Sequence, residues 1–210
     1  MKVAVLSPSA RSASMFPGPY ELALERMRGL GLEPVEFPTT RAPVASPEER
    51  ARDIEAAFLD PTIEAVFATI GGDDQIKVLR YLDPDLLRGC KKPFFGHSDN
   101  SNLHIYLHAL GTPSYYGGST MVTFGRAGAM TPETRASIAA ALAGARLELT
   151  EPAEYSDEEL DWANFDPSEF HPVQPAEPWF WHGREERVAG PGWGGNIEII
   201  DFQLRAGRWL

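Results

Sequence analysis

Cysteine is almost missing from this sequence of 210 residues, where Cys90 stands alone. A single thiol excludes an internal disulfide and points to a buried structural residue in a reducing, cytoplasmic setting. Basic residues are scarce as well. With 19 Lys and Arg against 30 Asp and Glu, the net charge is −11, and so acidic a chain lacks the basic patches that nucleic acid or an anionic membrane requires. No stretch approaches the roughly 18 apolar residues of a membrane span. Met1 to Ala10 carries one Lys and too short an apolar run for a signal peptide. What remains as the expected partner is a small molecule or a peptide, held by a domain whose 43% hydrophobic content suffices for a core.

Strand-like and helix-like segments alternate through the first 150 residues. Lys2 to Leu6 is an apolar run, and Tyr20 to Leu30 spaces its leucines as a helix closed by Gly29 and Gly31. Pro34 to Phe37 is extended. Ser46-Pro47-Glu48-Glu49 provides an N-cap, a first-turn proline and acids at the positive helix end, opening a helix to about Leu59. Ala65 to Ile70 is a buried strand broken by Gly71-Gly72, and Gln75 to Leu82 returns to helical spacing. Pro93 to Gly96 is a strand that runs into His97-Ser98-Asp99, followed by a helix to Leu110, an extended segment to Tyr116, and a helix from Thr131 to Ala143. This alternation predicts an α/β domain over residues 1–150, a parallel sheet with helices on both faces of flavodoxin-like or Rossmann-like type. Ligands of such sheets bind at the C-terminal strand ends, where Gly71-Gly72 and Ser98 fall.

The texture changes at Glu151. Residues 151–190 combine acids, prolines and Trp162, Trp179 and Trp181, and they read as a linker with loops. Residues 191–210 hold Trp193-Gly194-Gly195-Asn196 and a helical stretch from Ile197, which reads as the start of a C-terminal domain that does not finish.

Ser98 sits in Gly96-His97-Ser98-Asp99-Asn100 between a strand and a helix, the setting in which a tight turn lifts a nucleophilic hydroxyl above a sheet edge. The second glycine of G-x-S-x-G is missing, and the competing reading is that Ser98 or Asp99 only caps the helix. Gly71-Gly72-Asp73-Asp74 offers unhindered amides at the same edge, with Gly72 and Asp99 the natural pair for an oxyanion hole; the alternative is a plain turn in which Asp73 or Asp74 caps the next helix. A serine needs a base. His97 adjoins Ser98 and should point elsewhere, and neither His171 nor His182 is singled out by spacing. His104 and His108 have i, i+4 metal spacing but no third ligand, so neither a metal nor a cofactor is expected. The tryptophans either stack on a planar ligand or pack the loop onto the domain.

Taken together, these motifs resemble the serine LD-carboxypeptidases, including the microcin C immunity peptidases. The resemblance rests on Gly71 to Asp74, Tyr81-Leu82-Asp83, Lys92 through His104, Tyr116-Gly117-Gly118 and Trp193 to Asn196, in that order along the chain. It implies that Ser98 is the nucleophile and that the Gly72 and Asp99 amides hold the oxyanion. Gly71, Trp162, Trp179 and Trp181 are then the expected substrate-binding residues, with Trp162 the first to test. The family's glutamate and histidine belong to a C-terminal domain, and neither His171, His182 nor Glu198 matches their motifs. The chain alone is therefore expected to be inactive, with the two missing groups supplied by a continuation or by a separate C-terminal chain. The other outcome is a non-catalytic binding or immunity module for peptide or nucleotide-like ligands. The apolar face from Ile197 to Leu210 predicts self-association, such as a homodimer, or local disorder.

Overall fold

Strand β1 (Lys2–Leu6) is apolar from Val3 onward and lies between two cores, Ala4 and Leu6 facing one and Val3 and Val5 the other. A strand covered on both faces needs no polar alternation. In a computed structural model, which describes residues 1–158, 161–169, 171–183, 186–190 and 192–208, it pairs with β2 (Glu33–Glu36) and β3 (Ala65–Ala68). β4 (Phe94–Gly96) and β5 (Ser114–Tyr116) extend the sheet. The order is β2-β1-β3-β4-β5 with every pairing parallel, the flavodoxin-like arrangement.

Helices cover both faces, as the alternation predicts. On one side lie α1 (Ser12–Met15), α2 (Pro17–Gly29), a π-helix over Thr120–Phe124 and α7 (Pro132–Ala143), which bury Ala13, Tyr20, Leu24, Phe124 and Ile138. Phe67 of β3 stacks on Phe95 of β4 at 4.5 Å and meets the edge of Phe124 at 5.9 Å. On the other side α3 (Pro47–Leu59), α4 (Ile76–Leu79), α5 (Pro84–Leu87) and α6 (Ser101–Ala109) bury Ile54, Phe58, Val78, Leu87 and Leu103. Each such apolar side chain contributes roughly 1.5–3 kcal/mol. α3 starts where the capping residues place it. The Ser46 hydroxyl accepts from the Glu49 amide at 3.2 Å and the Glu49 carboxylate from the Ser46 amide at 2.7 Å.

Three details depart from the spacing. The stretch Gln75 to Leu82 forms one α-turn and not a continuous helix: the Tyr81 and Leu82 amides step to acceptors three residues back, and Pro84 holds Asp83 extended. Neither α1 nor the π-helix is signalled by periodicity. Cys90 is half-buried at the margin of the core, less than its residue type predicts.

Beyond residue 150 the chain is mostly loop. β6 (Glu154–Tyr155) and β7 (Gln174–Pro175) form a two-residue antiparallel ladder. Trp162 packs edge-on against Phe16, Phe165 lies against Gly18, and the Gly128 amide donates to Pro167 O at 3.2 Å, so this segment lies along α2. α8 (Ile197–Ala206) docks on α6 through polar groups. Gln203 Nε2 donates to Asn102 Oδ1 at 2.6 Å and the Asn196 amide to Ser101 Oγ at 2.7 Å. Its apolar residues Ile197, Phe202 and Leu204 are exposed; Trp209 and Leu210 lie outside the described residues. Among the described residues no helix is long and apolar enough to cross a membrane.

Candidate active site

β4 ends at Gly96, and the chain reverses within two residues. His97 is extended, Ser98 takes φ +59°, and Ser98–Asn100 form a single 3-10 turn that feeds α6. Among the described residues Ser98 is the one non-glycine with a positive φ. An L-residue there costs of order 1–2 kcal/mol, so the surroundings must hold it. Asn100 Nδ2 donates to both His97 O and Ile70 O at 3.0 Å, and the Asn100 amide donates to His97 O at 3.2 Å. The Ser98 amide donates to the Tyr116 hydroxyl at 3.1 Å. Gly96 is required by space, since a Cβ there would come within 2.9 Å of Asn100 Cβ.

Capping does not explain Ser98 or Asp99: the Leu103 amide in the first turn of α6 donates to Gln75 Oε1 at 3.1 Å, and the residues at the N-cap positions of the 3-10 turn and of α6 are His97 and Asn100, neither with a side-chain cap bond. The buried Asp99 carboxylate instead accepts from the Ser9 hydroxyl, from the Gln75 amide at 2.9 Å and from Asn102 Nδ2 at 2.8 Å. Its amide lies in the first turn of the 3-10 helix, where an N–H lacks an intrahelical acceptor.

The glycine turn abuts this serine. A Cβ on Gly71 would fall 2.8 Å from Ser98 Cβ and 3.2 Å from its Oγ, and one on Gly72 would run into the Ser9 hydroxyl. Gly71 O accepts from the Ala10 amide at 3.1 Å. Asp74 is not a helix cap. It forms a two-pronged ion pair with Arg50 at 2.7 and 3.0 Å, which holds its carboxyl below the ordinary range, and Arg50 also donates to Ser9 O at 2.9 Å. One guanidinium therefore ties the loop after β1 to the turn after β3. These are the loops that diverge at the reversal of strand order, where α/β sheets open a crevice.

The histidines near the turn are engaged elsewhere. His97 Nδ1 is hydrogen-bonded to the buried Ser119 hydroxyl, and burial holds its pKa below the usual value. His104 Nε2 donates to Gly96 O at 3.0 Å, and burial lowers its pKa to about 4, so both rings are neutral near pH 7. Among the described residues no three His, Cys, Asp or Glu side chains gather as metal ligands. Trp162 is partly buried on Phe16, with its indole N–H buried and unpaired among the described residues. Trp179 and Trp181 are exposed and meet each other edge to face at 6.0 Å. A cleft of about 560 Å3 lies beside the Ser98 turn, lined by His104, His108, Tyr115, Tyr116, Trp193 and Gly195.

Sequence reasoning names Ser98, Asp99, Gly71 and Gly72, and the fold brings these four together. It passes over Ser9, Gln75 and Ser119, which are polar residues buried at 5% exposure or less. It also gives no role to Tyr116. Their partners lie 18 to 90 positions away, at separations no local pattern signals.

Comparison with known proteins agrees with the fold. Residues 3–117 match the LD-carboxypeptidase N-terminal domain. The Vibrio cholerae protein named "Putative carboxypeptidase VC_A0337" is 27% identical over 99% of this chain, which covers 62% of that protein. The Escherichia coli microcin C7 self-immunity protein MccF is 29% identical over 55% of this chain and 35% of its own length. Among solved structures, MccF in complex with aspartyl sulfamoyl adenosine superposes with a TM-score of 0.74 at 23% identity, over 83% of this chain and 54% of that one. An MccF-like protein from Streptococcus pneumoniae in complex with AMP gives 0.75 at 24% identity, again over 83% and 54%. The chain thus spans about three-fifths of the length of the Vibrio protein and about half that of each of these two solved chains. The chain belongs to the LD-carboxypeptidase N-terminal domain family.

Proposed function

We propose that this chain is the nucleophile-bearing part of a serine amidase of the LD-carboxypeptidase type, cleaving an amide next to a free carboxylate. The observation that carries this reading is the strained Ser98 turn set against Gly71 and Gly72. Strain persists where the surroundings over-determine it, and such positions cluster at active sites. Ser98 Oγ attacks the scissile carbonyl while a base takes its proton. The Gly72 and Asp99 amides hold the resulting oxyanion, the amine leaves with a proton, and water releases the acyl group.

The base and its orienting carboxylate come from a segment outside this sequence, on the same polypeptide or on a partner. In support, both histidines near the turn are committed to other groups. The substrates considered are a cell-wall-type peptide with a terminal carboxylate and, by likeness to the nucleotide complexes of the MccF proteins, an aminoacyl nucleotide. Trp179 and Trp181, whose rings are exposed, are the candidate stacking surfaces for the latter. The acidic composition and single half-buried thiol accord with a cytoplasmic small-molecule enzyme.

The same commitment of the histidines favours a second reading, a binding module without turnover. Incubating the chain alone and with a C-terminal segment, while following residue release from an LD-tetrapeptide and from an aminoacyl sulfamoyl adenylate, separates the two. Turnover in the mixture that Ser98→Ala reduces by about a thousandfold or more supports the amidase. Ligand binding without turnover in either sample supports the module.

A further inference from the structure

We propose that Tyr116 is a positioning residue for the nucleophile, whose hydroxyl occupies the Ser98 amide and thereby fixes both the turn and the identity of the oxyanion donors. This rests on the reading of Ser98 as the nucleophile. The Tyr116 hydroxyl accepts the Ser98 N–H at 3.1 Å. Its place is set by the sheet, because Tyr116 stands opposite Gly96 in the β4–β5 register and the next amide, Gly117 N–H, donates to Gly96 O at 2.6 Å. Its ring leans on His104 at 5.9 Å, and that imidazole is itself bonded to Gly96 O. The last residue of β5 is thereby bolted to the last residue of β4, and its hydroxyl reaches over to the residue that turns.

The chemistry follows from counting donors. At an elbow whose nucleophile takes a positive φ, the amides of Ser98 and Asp99 are adjacent, and a developing oxyanion could draw on either. With Ser98 N–H already donating to Tyr116, that amide is withdrawn from the choice and the Asp99 amide is left, so the oxyanion is directed to the side facing the glycine turn. The bond also adds to the hold that Asn100 has on the turn: Asn100 fixes His97 O and Ile70 O, while Tyr116 fixes Ser98 N. Tyr116 is more than half exposed, so its burial contributes little packing, and the hydroxyl is the part of the side chain with a defined task.

Tyr116→Phe removes the acceptor and keeps the ring on His104. In the chain as it stands, the Ser98 amide should exchange with solvent severalfold to tenfold faster in Tyr116→Phe, with amides of β4 and α6 unchanged, as read by hydrogen exchange with NMR detection. An unchanged Ser98 exchange rate overturns the proposal. In the mixture with a C-terminal segment, Tyr116→Phe should lower kcat about 10- to 100-fold with KM within about twofold, since the loss falls on oxyanion placement and not on ground-state binding. A KM increase with kcat intact would also overturn it, since that would make Tyr116 a substrate contact. Ser98→Ala run in parallel keeps the two readings apart. If Ser98→Ala abolishes turnover and Tyr116→Phe leaves kcat intact, the positioning role alone fails. If Ser98→Ala retains turnover, the nucleophile reading fails with it.

Discussion

Ser98 holds a backbone angle that glycine adopts freely and serine does not, and the cost should be measurable as stability. Ser98→Gly should unfold at higher denaturant or temperature than Ser98→Ala, by about 1 kcal/mol or a few degrees in Tm. Equal stability of the two variants would mean that no strain resides at this turn. His104 gives a second expectation at this scale. Its imidazole is kept neutral in the folded protein down to about pH 4, below its ordinary 6.5. Between those values the unfolded chain binds a proton that the native one refuses, so stability falls as pH is lowered from about 6.5 toward 4 and levels off beneath. The loss reaches up to about 3 kcal/mol. Urea titrations of the wild type and of His104→Gln at pH 7 and pH 4.5 check it, the variant showing the smaller difference.

Elements were legible in proportion to how local their causes are. The N-terminus of α3 could be read from Ser46 to Glu49 because a capping box is a contact between residues three apart. The two-sided burial of β1 and β3 was equally plain in their unbroken apolar runs. The turn at Ser98 could be placed but its conformation could not, since a φ of +59° is set by Asn100 and Tyr116 and not by the identity of residue 98. The helical spacing from Gln75 to Leu82 yields only the single turn of α4 for a related reason. Gln75 is drawn into bonds with Asn100 and Leu103, and Pro84 closes the segment. α8 forms as its spacing predicts but turns Gln203 inward and leaves Phe202 in solvent. Ile197 and Leu204 share one side of α8 and Phe202 stands exposed on another, apolar surface that favours association. Sedimentation over a concentration series should therefore show a mass that climbs with concentration and climbs less in Phe202→Glu.

Across the whole molecule, the site is assembled from the loops that follow three neighbouring strands of the sheet, β1, β3 and β4. The loop after β1 brings Ser9, the loop after β3 brings Gly71 and Gly72, and the loop after β4 brings Ser98. The strand order 2-1-3-4-5 makes the first two diverge, which opens room beside the third. The composition is poor in cationic residues, so under the proposed function the recognition of a carboxylate would fall to individual donors and not to a broad positive field.

The ties that hold the turn around Ser98 have a consequence in time. Asp99 is fastened to Ser9, 90 positions earlier, and Asn102 to Gln203, 101 positions later. Loops of that length close late, after neighbouring segments have already found each other. A ribosome that has delivered Ser98 has delivered Ser9 and Gly71 but not yet Tyr116, and the tie from Asn102 to Gln203 waits until α8 itself has been made. The surroundings of this turn are therefore completed in stages, from the first loop of the chain to its last helix.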